Sequence, residues 1–242
     1  MTITTVKNKD AVPIKPMAML CDNSLGDVAP PFPSGAFSML LSAKPGSGKS
    51  TALLNLIESK AYYRRKFENI FAFIPPNSLA SLPKKSLLKR HDKIYPDLDI
   101  DRLEKVLENC RTSSEEGENS LIIIDDCMHS LKDNAVLRTL VHILANRRHL
   151  RTSIIICTQV FNSLPLCLRK CLSHVVLWKL GSGAEQASVL SECFPGVKKD
   201  DAEELLRIAH PDKHSFLLVD LKDGRYYNTD LDELVVSAPK PA

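Results

Sequence analysis

Residues 43–51 read AKPGSGKST. They sit between a run suited to a buried strand, Phe37–Ala43 (FSMLLSA), and a helical run, STALLNLIESK, in which Leu53, Leu54 and Ile57 fall on one face. Strand, glycine-rich loop and helix in this order make a phosphate cradle. Backbone N–H groups converge at a helix N-terminus, where the helix dipole also favours anions. Gly46 and Gly48 let the chain turn tightly and approach phosphate with no Cβ in the way. Lys49 is placed to reach the β- and γ-phosphates, and Ser50 to offer its hydroxyl to Mg²⁺. Ala43, Lys44, Pro45 and Ser47 complete the loop, and Thr51 opens the helix face. Ala43 stands where a glycine is usual, but it ends a strand and need not approach phosphate, so a methyl group is tolerated.

Four more strand-like runs follow: Asn69–Ile74 (NIFAFI), Leu121–Asp126 (LIIIDD), Thr152–Gln159 (TSIIICTQ) and Ser173–Leu180 (SHVVLWKL). A helix with Leu137, Leu140, Val141 and Leu144 at i, i+3, i+4, i+7 lies between the second and third of these. Strands alternating with helices predict an α/β fold, a mostly parallel sheet covered on both faces. The expected organisation is an arm at 1–33, a core at 34–180 and a C-terminal extension at 181–242. The extension carries two short helices, near Glu185–Cys193 and Ala202–Ala209, and a hairpin turning at Lys222-Asp223-Gly224. Residues 77–119 read as an insertion on the sheet edge, with a basic cluster (Lys84, Lys85, Lys89, Arg90, Lys93), an amphipathic helix (IDRLEKVLENC) and a polar linker (RTSSEEGENS). The cluster is a solvated face or a contact for nucleic acid.

LIIIDD ends a buried strand in two carboxylates. Asp125 is placed to hold Mg²⁺ through water, and Asp126 to orient or deprotonate an attacking water. Asp126 is one methylene shorter than the glutamate often used for this task. Gln159 ends the next strand, and carboxyl ends of parallel strands line the ligand crevice, so it can sense the γ-phosphate or hold the water. Arg148, then Arg169, are the candidates to reach into a neighbouring subunit's site. Tyr62 and Tyr63 read as helix-surface packing, and no residue stands out as a base-stacking group.

Composition narrows the rest. A net charge of +3 is too small to argue for nucleic acid in bulk, so any DNA surface must be local. No apolar run reaches the length of a membrane span, and MTITTVKNKD has no apolar core of a signal peptide. The seven cysteines are odd in number and scattered, which favours reduced thiols over a disulfide framework or a zinc site.

The ordered set AKPGSGKS, NIFAFIPPN, LIIIDD, RRHLRTSIIICTQ and LPLCLRK resembles the genome-packaging ATPases of large nucleocytoplasmic DNA viruses, virophages and polinton-like elements, of the FtsK/HerA-type division of P-loop ATPases. It covers about residues 35–180. The resemblance implies a RecA-like sheet in the order 5-1-4-3-2, with an extra strand (Asn69–Ile74) between the loop strand and the acidic strand. It implies a ring of about five or six identical subunits, ATP and Mg²⁺ as ligands, double-stranded DNA as the load, and capsid portal or vertex proteins as partners. The expected location is the host cytoplasm, a viral factory or the virion. By similarity, Lys49 and Ser50 contact phosphate and Mg²⁺, Asp125 holds the metal, Asp126 is the catalytic carboxylate and Gln159 the sensor, with Arg148 carried over less securely. No carboxylate triad of an attached nuclease is assignable after Leu180.

Two alternatives stay open. A small-molecule kinase would share the size and the loop, but would use an arginine-bearing lid and need no water-activating carboxylate. A non-hydrolysing assembly protein would use nucleotide as a structural ligand, which intact Lys49 and Asp126 argue against.

Overall fold

The computed structural model describes residues 23–236. In chain order it contains β1 (Ser38–Ser42), α1 (Lys49–Glu58), β2 (Asn69–Phe73), α2 (Pro76–Ser81), α3 (Leu87–Arg90), β3 (Ile94–Tyr95), α4 (Ile100–Glu115), β4 (Ser120–Asp125) and α5 (Asn134–Ala145). It continues with β5 (Thr152–Thr158), α6 (Leu166–Arg169), β6 (His174–Trp178), α7 (Gly183–Cys193), α8 (Lys199–Ala209), β7 (Phe216–Asp220) and β8 (Arg225–Tyr227).

The strands form one sheet in the order β3-β2-β4-β5-β1-β6-β7-β8. Its middle, read from β6 to β2, is the expected 5-1-4-3-2 arrangement, all parallel. Three strands lengthen it beyond that expectation. β3 pairs parallel to β2 at one edge, and β7 and β8 add antiparallel at the other. The C-terminal extension therefore continues the sheet itself. Asn69–Phe73 precedes the acidic strand in the chain but lies outside it in space, and β5 separates the acidic strand from β1.

Strands buried on both faces need apolar residues at every position. In β4 and β5, Ile122, Ile124, Ile154 and Ile156 face one layer, while Leu121, Ile123, Ile155 and Cys157 face the other. The first layer is α4 to α8; the second is α1, the short helices α2 and α3, and the segment entering β1. Each fully buried aliphatic side chain contributes about 1.5–3 kcal/mol, so this double-sided core holds the sheet between its two helical layers.

Several local expectations shift. The buried face of α1 is Leu53, Leu56 and Ile57, with Leu54 at its margin. In α5 it is Val136, Leu140, Ile143 and Leu144, with Leu137 and Val141 partly buried. The polar linker after IDRLEKVLENC is helical as far as Glu115. Asp99 caps the start, Thr112 and Ser114 hydroxyls donate to carbonyls within the helix, and Gly117 at φ 81° ends the segment. Residues 1–22 of the expected arm lie outside the described residues. Residues 23–33 pack against the body: Leu25 and Phe32 are buried, and the Asn23 amide donates to Asn119 Oδ1 at 2.9 Å.

Candidate nucleoside triphosphate site

Register brings the predicted residues together. Ser42 lies opposite Thr158, and Asp125 opposite Cys157. The phosphate loop, Asp126 and Gln159 therefore emerge from the carboxyl ends of three adjacent central strands. Gly46 and Gly48 adopt φ 74° and 102°, the left-handed region that glycine enters without cost. Gly48 caps α1 with no side-chain acceptor, leaving the first-turn N–H groups to the loop. Ala43 is buried and donates its N–H to Thr158 O at 3.1 Å, so its methyl group lies in the core behind the loop.

Lys49 Nζ stands 3.2 Å from Asp125 Oδ1. Asp125 is 8% exposed, and this oxygen accepts no well-formed hydrogen bond. The lysine balances its charge but leaves an acceptor position unfilled. Thr158 Oγ1, at the tip of the neighbouring strand, is also buried and unpaired. Burial pushes the Cys157 thiol up, and Asp125 adds to it; burial and then Asp125 and Asp126 raise Cys127 to about 12. Both thiols stay neutral and add no charge to the site.

Asp126 has φ 55°, a region that aspartate enters more readily than most residues. Its N–H donates to Cys157 O at 3.2 Å, and its Oδ2 accepts from Gln159 Nε2 at 2.9 Å. Only the amide nitrogen of Gln159 can donate to a carboxylate, which orients the side chain. Its amide oxygen is left facing away from that bond, available to a water or a phosphate hydroxyl.

The arginines fall elsewhere. Arg169 holds Glu192 of α7 through two bonds, Nε–Oε2 at 2.9 Å and Nη2–Oε1 at 3.0 Å, and also donates to Leu164 O. Its side chain is 11% exposed and its guanidinium lies 5.0 Å from the Phe161 ring centre. That bonding makes it a clamp between the turn after β5 and α7. Arg148 is exposed in the turn before β5, at the end of the sheet opposite the phosphate loop of its own chain. The basic cluster is largely committed: Lys89 donates to Leu82 O and Ala80 O, Arg90 to Lys85 O, and Lys93 to Asn69 Oδ1 while lying over Phe71.

A cavity of about 1040 Å³ opens at the loop and runs along α1. Thr51 and Asn55 line its polar flank; Phe32, Tyr62, Trp178 and Phe216 make an apolar wall. Tyr62 meets Phe32 edge-on at 4.9 Å, so it borders the cavity instead of decorating a helix surface. Tyr63 is buried, stacks on Phe37 and donates its hydroxyl to Pro33 O, which corrects the surface reading for it too; burial pushes its phenol well up. His214, on the loop before β7, lies 3.3 Å by Nδ1 from Ser47 O, and its backbone carbonyl accepts from Trp178 Nε1 at 3.1 Å. These groups come from both ends of the chain. No local pattern marks them; the hairpin read at Lys222-Asp223-Gly224 carried no sign that its first strand joins the main sheet.

A phosphate loop between a central strand and its helix, with an acidic residue and a polar residue at the tips of the next two strands, defines a P-loop nucleoside triphosphatase fold. The chain belongs to the family of the Poxvirus A32 protein, whose family model matches residues 32–192. It is 25% identical over 206 residues to the DNA packaging protein OPG160 of monkeypox virus, covering 81% of this chain and 65% of that protein. The chain thus spans less than two thirds of that relative's length. Its counterpart in vaccinia virus (strain Copenhagen) matches at 25%, covering 81% of this chain and 72% of that protein. Among solved structures, the DNA-packaging ATPase B204 from Sulfolobus Turreted Icosahedral Virus superposes with a TM-score of 0.58 at 15% identity, covering 79% of this chain and 96% of that one. B204 from Sulfolobus turreted icosahedral virus 2 in complex with ATP-gammaS gives 0.57 at 16% identity, covering 78% and 95%. The cytoplasmic domain of the Thermomonospora curvata type VII secretion ATPase EccC gives 0.53 at 14%, covering 84% of this chain and 29% of that one. The structural likenesses establish the shared fold.

Proposed function

We propose that this chain hydrolyses ATP and uses the energy to move double-stranded DNA into a preformed capsid. The observation that carries the hydrolytic part is the Asp126–Gln159 hydrogen bond beside the Lys49–Asp125 pair. A carboxylate and an amide oxygen can align a water for attack on the γ-phosphorus, with Asp126 taking its proton. A small-molecule kinase needs no group to hold a water, because its nucleophile arrives with the acceptor. The loop N–H groups and Lys49 hold the β- and γ-phosphates and meet the charge that grows on them. The apolar wall of the cavity suits the base, and Thr51 and Asn55 lie along the way to it.

The unfilled acceptor on Asp125 suits a hydrated Mg²⁺ carried in by the nucleotide. Such an ion needs one or two protein oxygens, here Ser50 and Asp125, and would neutralise phosphate charge. Among the described residues no group of three or more acidic, histidine or cysteine side chains forms a resident metal cage.

Membership of a family with DNA packaging proteins supports duplex DNA as the load. Contacts would fall on phosphates, giving sequence-independent, salt-sensitive binding. A ring of identical subunits accounts for Arg148: set away from its own phosphate loop, it would serve the neighbour's. Arg169 ranks second because its clamp on Glu192 must open first. Capsid portal or vertex proteins would be the docking partners, in the host cytoplasm, a viral factory or the virion. No helix among the described residues is long and apolar enough to cross a membrane.

The test is phosphate release from ATP with and without duplex DNA, across salt. Stimulation that fades as salt rises is expected. Indifference to DNA, with the phosphate passing to a nucleoside, would replace the motor with a kinase.

A further inference from the structure

Glu185 is 4% exposed, and the chemistry described above makes no use of it. It sits in the first turn of α7, three residues after the cap Ser182, in the pattern of a reciprocal capping box. One half of that box forms: Ser182 Oγ accepts from Glu185 N at 3.2 Å. The other half would return the carboxylate to the cap's own N–H. Instead Glu185 Oε1 accepts from Phe161 N at 2.7 Å, and Oε2 accepts from Gly181 N at 2.6 Å.

Those two donors lie on different strands' exits. Phe161 is two residues beyond Gln159, after β5; Gly181 follows β6. β5 and β6 are the strands that flank β1. The carboxylate therefore bridges the tips of both neighbours of the phosphate-loop strand. Lys44, inside the loop, packs against the same point: a Cβ on Gly181 would lie 3.2 Å from Glu185 Oε2 and 3.2 Å from Lys44 Cε. Asn162 Nδ2 reaches Ala184 O at 3.4 Å, beside the bridge. A buried carboxylate is costly unless paired, and two charge-assisted bonds to backbone N–H groups offset that cost.

We infer that Glu185 is a positioning residue, which sets Gln159 against Asp126 by tying the turn that carries Gln159 to the exit of β6 across the phosphate-loop strand. This rests on the hydrolytic reading of Asp126 and Gln159. Glu185→Gln puts an amide NH₂ against one of the two N–H donors and breaks one tie. Ser182→Ala removes the helix cap and keeps the bridge.

The experiment compares ATP turnover, melting temperature and amide hydrogen exchange of residues 159–163 in the full chain. Glu185→Gln should lower kcat about tenfold or more with KM within about twofold. Exchange across the turn should quicken. Ser182→Ala should cost similar thermal stability with kcat and turn exchange unchanged. In a Gln159→Ala background, Glu185→Gln should cause no further loss, because both act on one event. Independent, multiplying losses in that cycle, or unchanged exchange in Glu185→Gln, would overturn the assignment. If the unsubstituted protein hydrolyses nothing, the hydrolytic reading fails, and exchange alone still decides whether Glu185 holds the turn.

Discussion

Replacing Asp126 with asparagine removes one charge and almost nothing else. At φ 55° the backbone needs a residue that tolerates the left-handed region, and asparagine does so as well as aspartate. The Gln159 amide, 2.9 Å away, can still donate to the new side-chain oxygen. That bond changes from charge-assisted to neutral at an exposed position, so the folding cost stays below about 1 kcal/mol. What disappears is the proposed base. General-base assistance amounts to about 10²–10⁴ in rate, or about 2.7–5.5 kcal/mol of barrier. Asp126→Asn should therefore bind ATP normally and turn over about 10²–10⁴ times more slowly. The protein's single tryptophan, Trp178, lines the cavity and bonds to His214 beside the loop, so its fluorescence can report binding. Phosphate release in a single turnover reports the chemistry. Asp126→Ala makes a useful contrast, since alanine at this φ adds about 1–2 kcal/mol of strain and should lower the melting temperature as well. An asparagine variant that keeps turnover within about threefold would remove Asp126 from the mechanism.

Lys49→Ala should abolish ligand-induced stabilisation: ATP at 100 times its Kd adds about 2.7 kcal/mol to the unsubstituted protein, and a thermal shift should show none in the variant. Arg169→Ala should cost about 2–4 kcal/mol, because it strands Glu192 and Leu164 O, and denaturant midpoints measure it. Arg148→Ala should cost less stability and slow turnover in the assembled oligomer. His174 provides a pH signature. Burial first, then Arg147 and Lys222, hold its imidazole below the ordinary 6.5, against Asp220, which raises it. The unfolded chain binds this proton more readily, so stability is full above pH 6.5 and falls as pH drops below it, by at most about 1.4 kcal/mol per unit. His174→Gln should flatten that slope in urea titrations from pH 7 to pH 5.

Local order carried most of the phosphate site into the sequence. The glycine loop, LIIIDD and the strand ending in Gln159 are contiguous patterns, and the alternation of strands with helices places all three at the carboxyl ends of parallel strands. Helix length misread where serine and threonine looked like a linker, since their hydroxyls satisfy carbonyls inside α4. The wall of the cavity was not legible. Phe32 precedes the core, His214 and Phe216 follow it by more than thirty residues past Trp178, and only the antiparallel return of β7 brings them to the loop. Glu185 was equally hidden, because its sequence context reads as an ordinary helix cap. Arg169 read as the second candidate to reach a neighbouring subunit's site; its partner, Glu192, lies on another helix and has no local sequence signal.

Movement along DNA is the central part of the proposed function. A duplex carrying a short third strand wound into its major groove offers a direct readout, because a translocating motor strips the third strand as it passes. ATP-dependent release by this chain is expected, weaker at high salt and absent with Asp126→Asn. Rapid ATP turnover that leaves the third strand in place, at every salt concentration and with the oligomer formed, would contradict it.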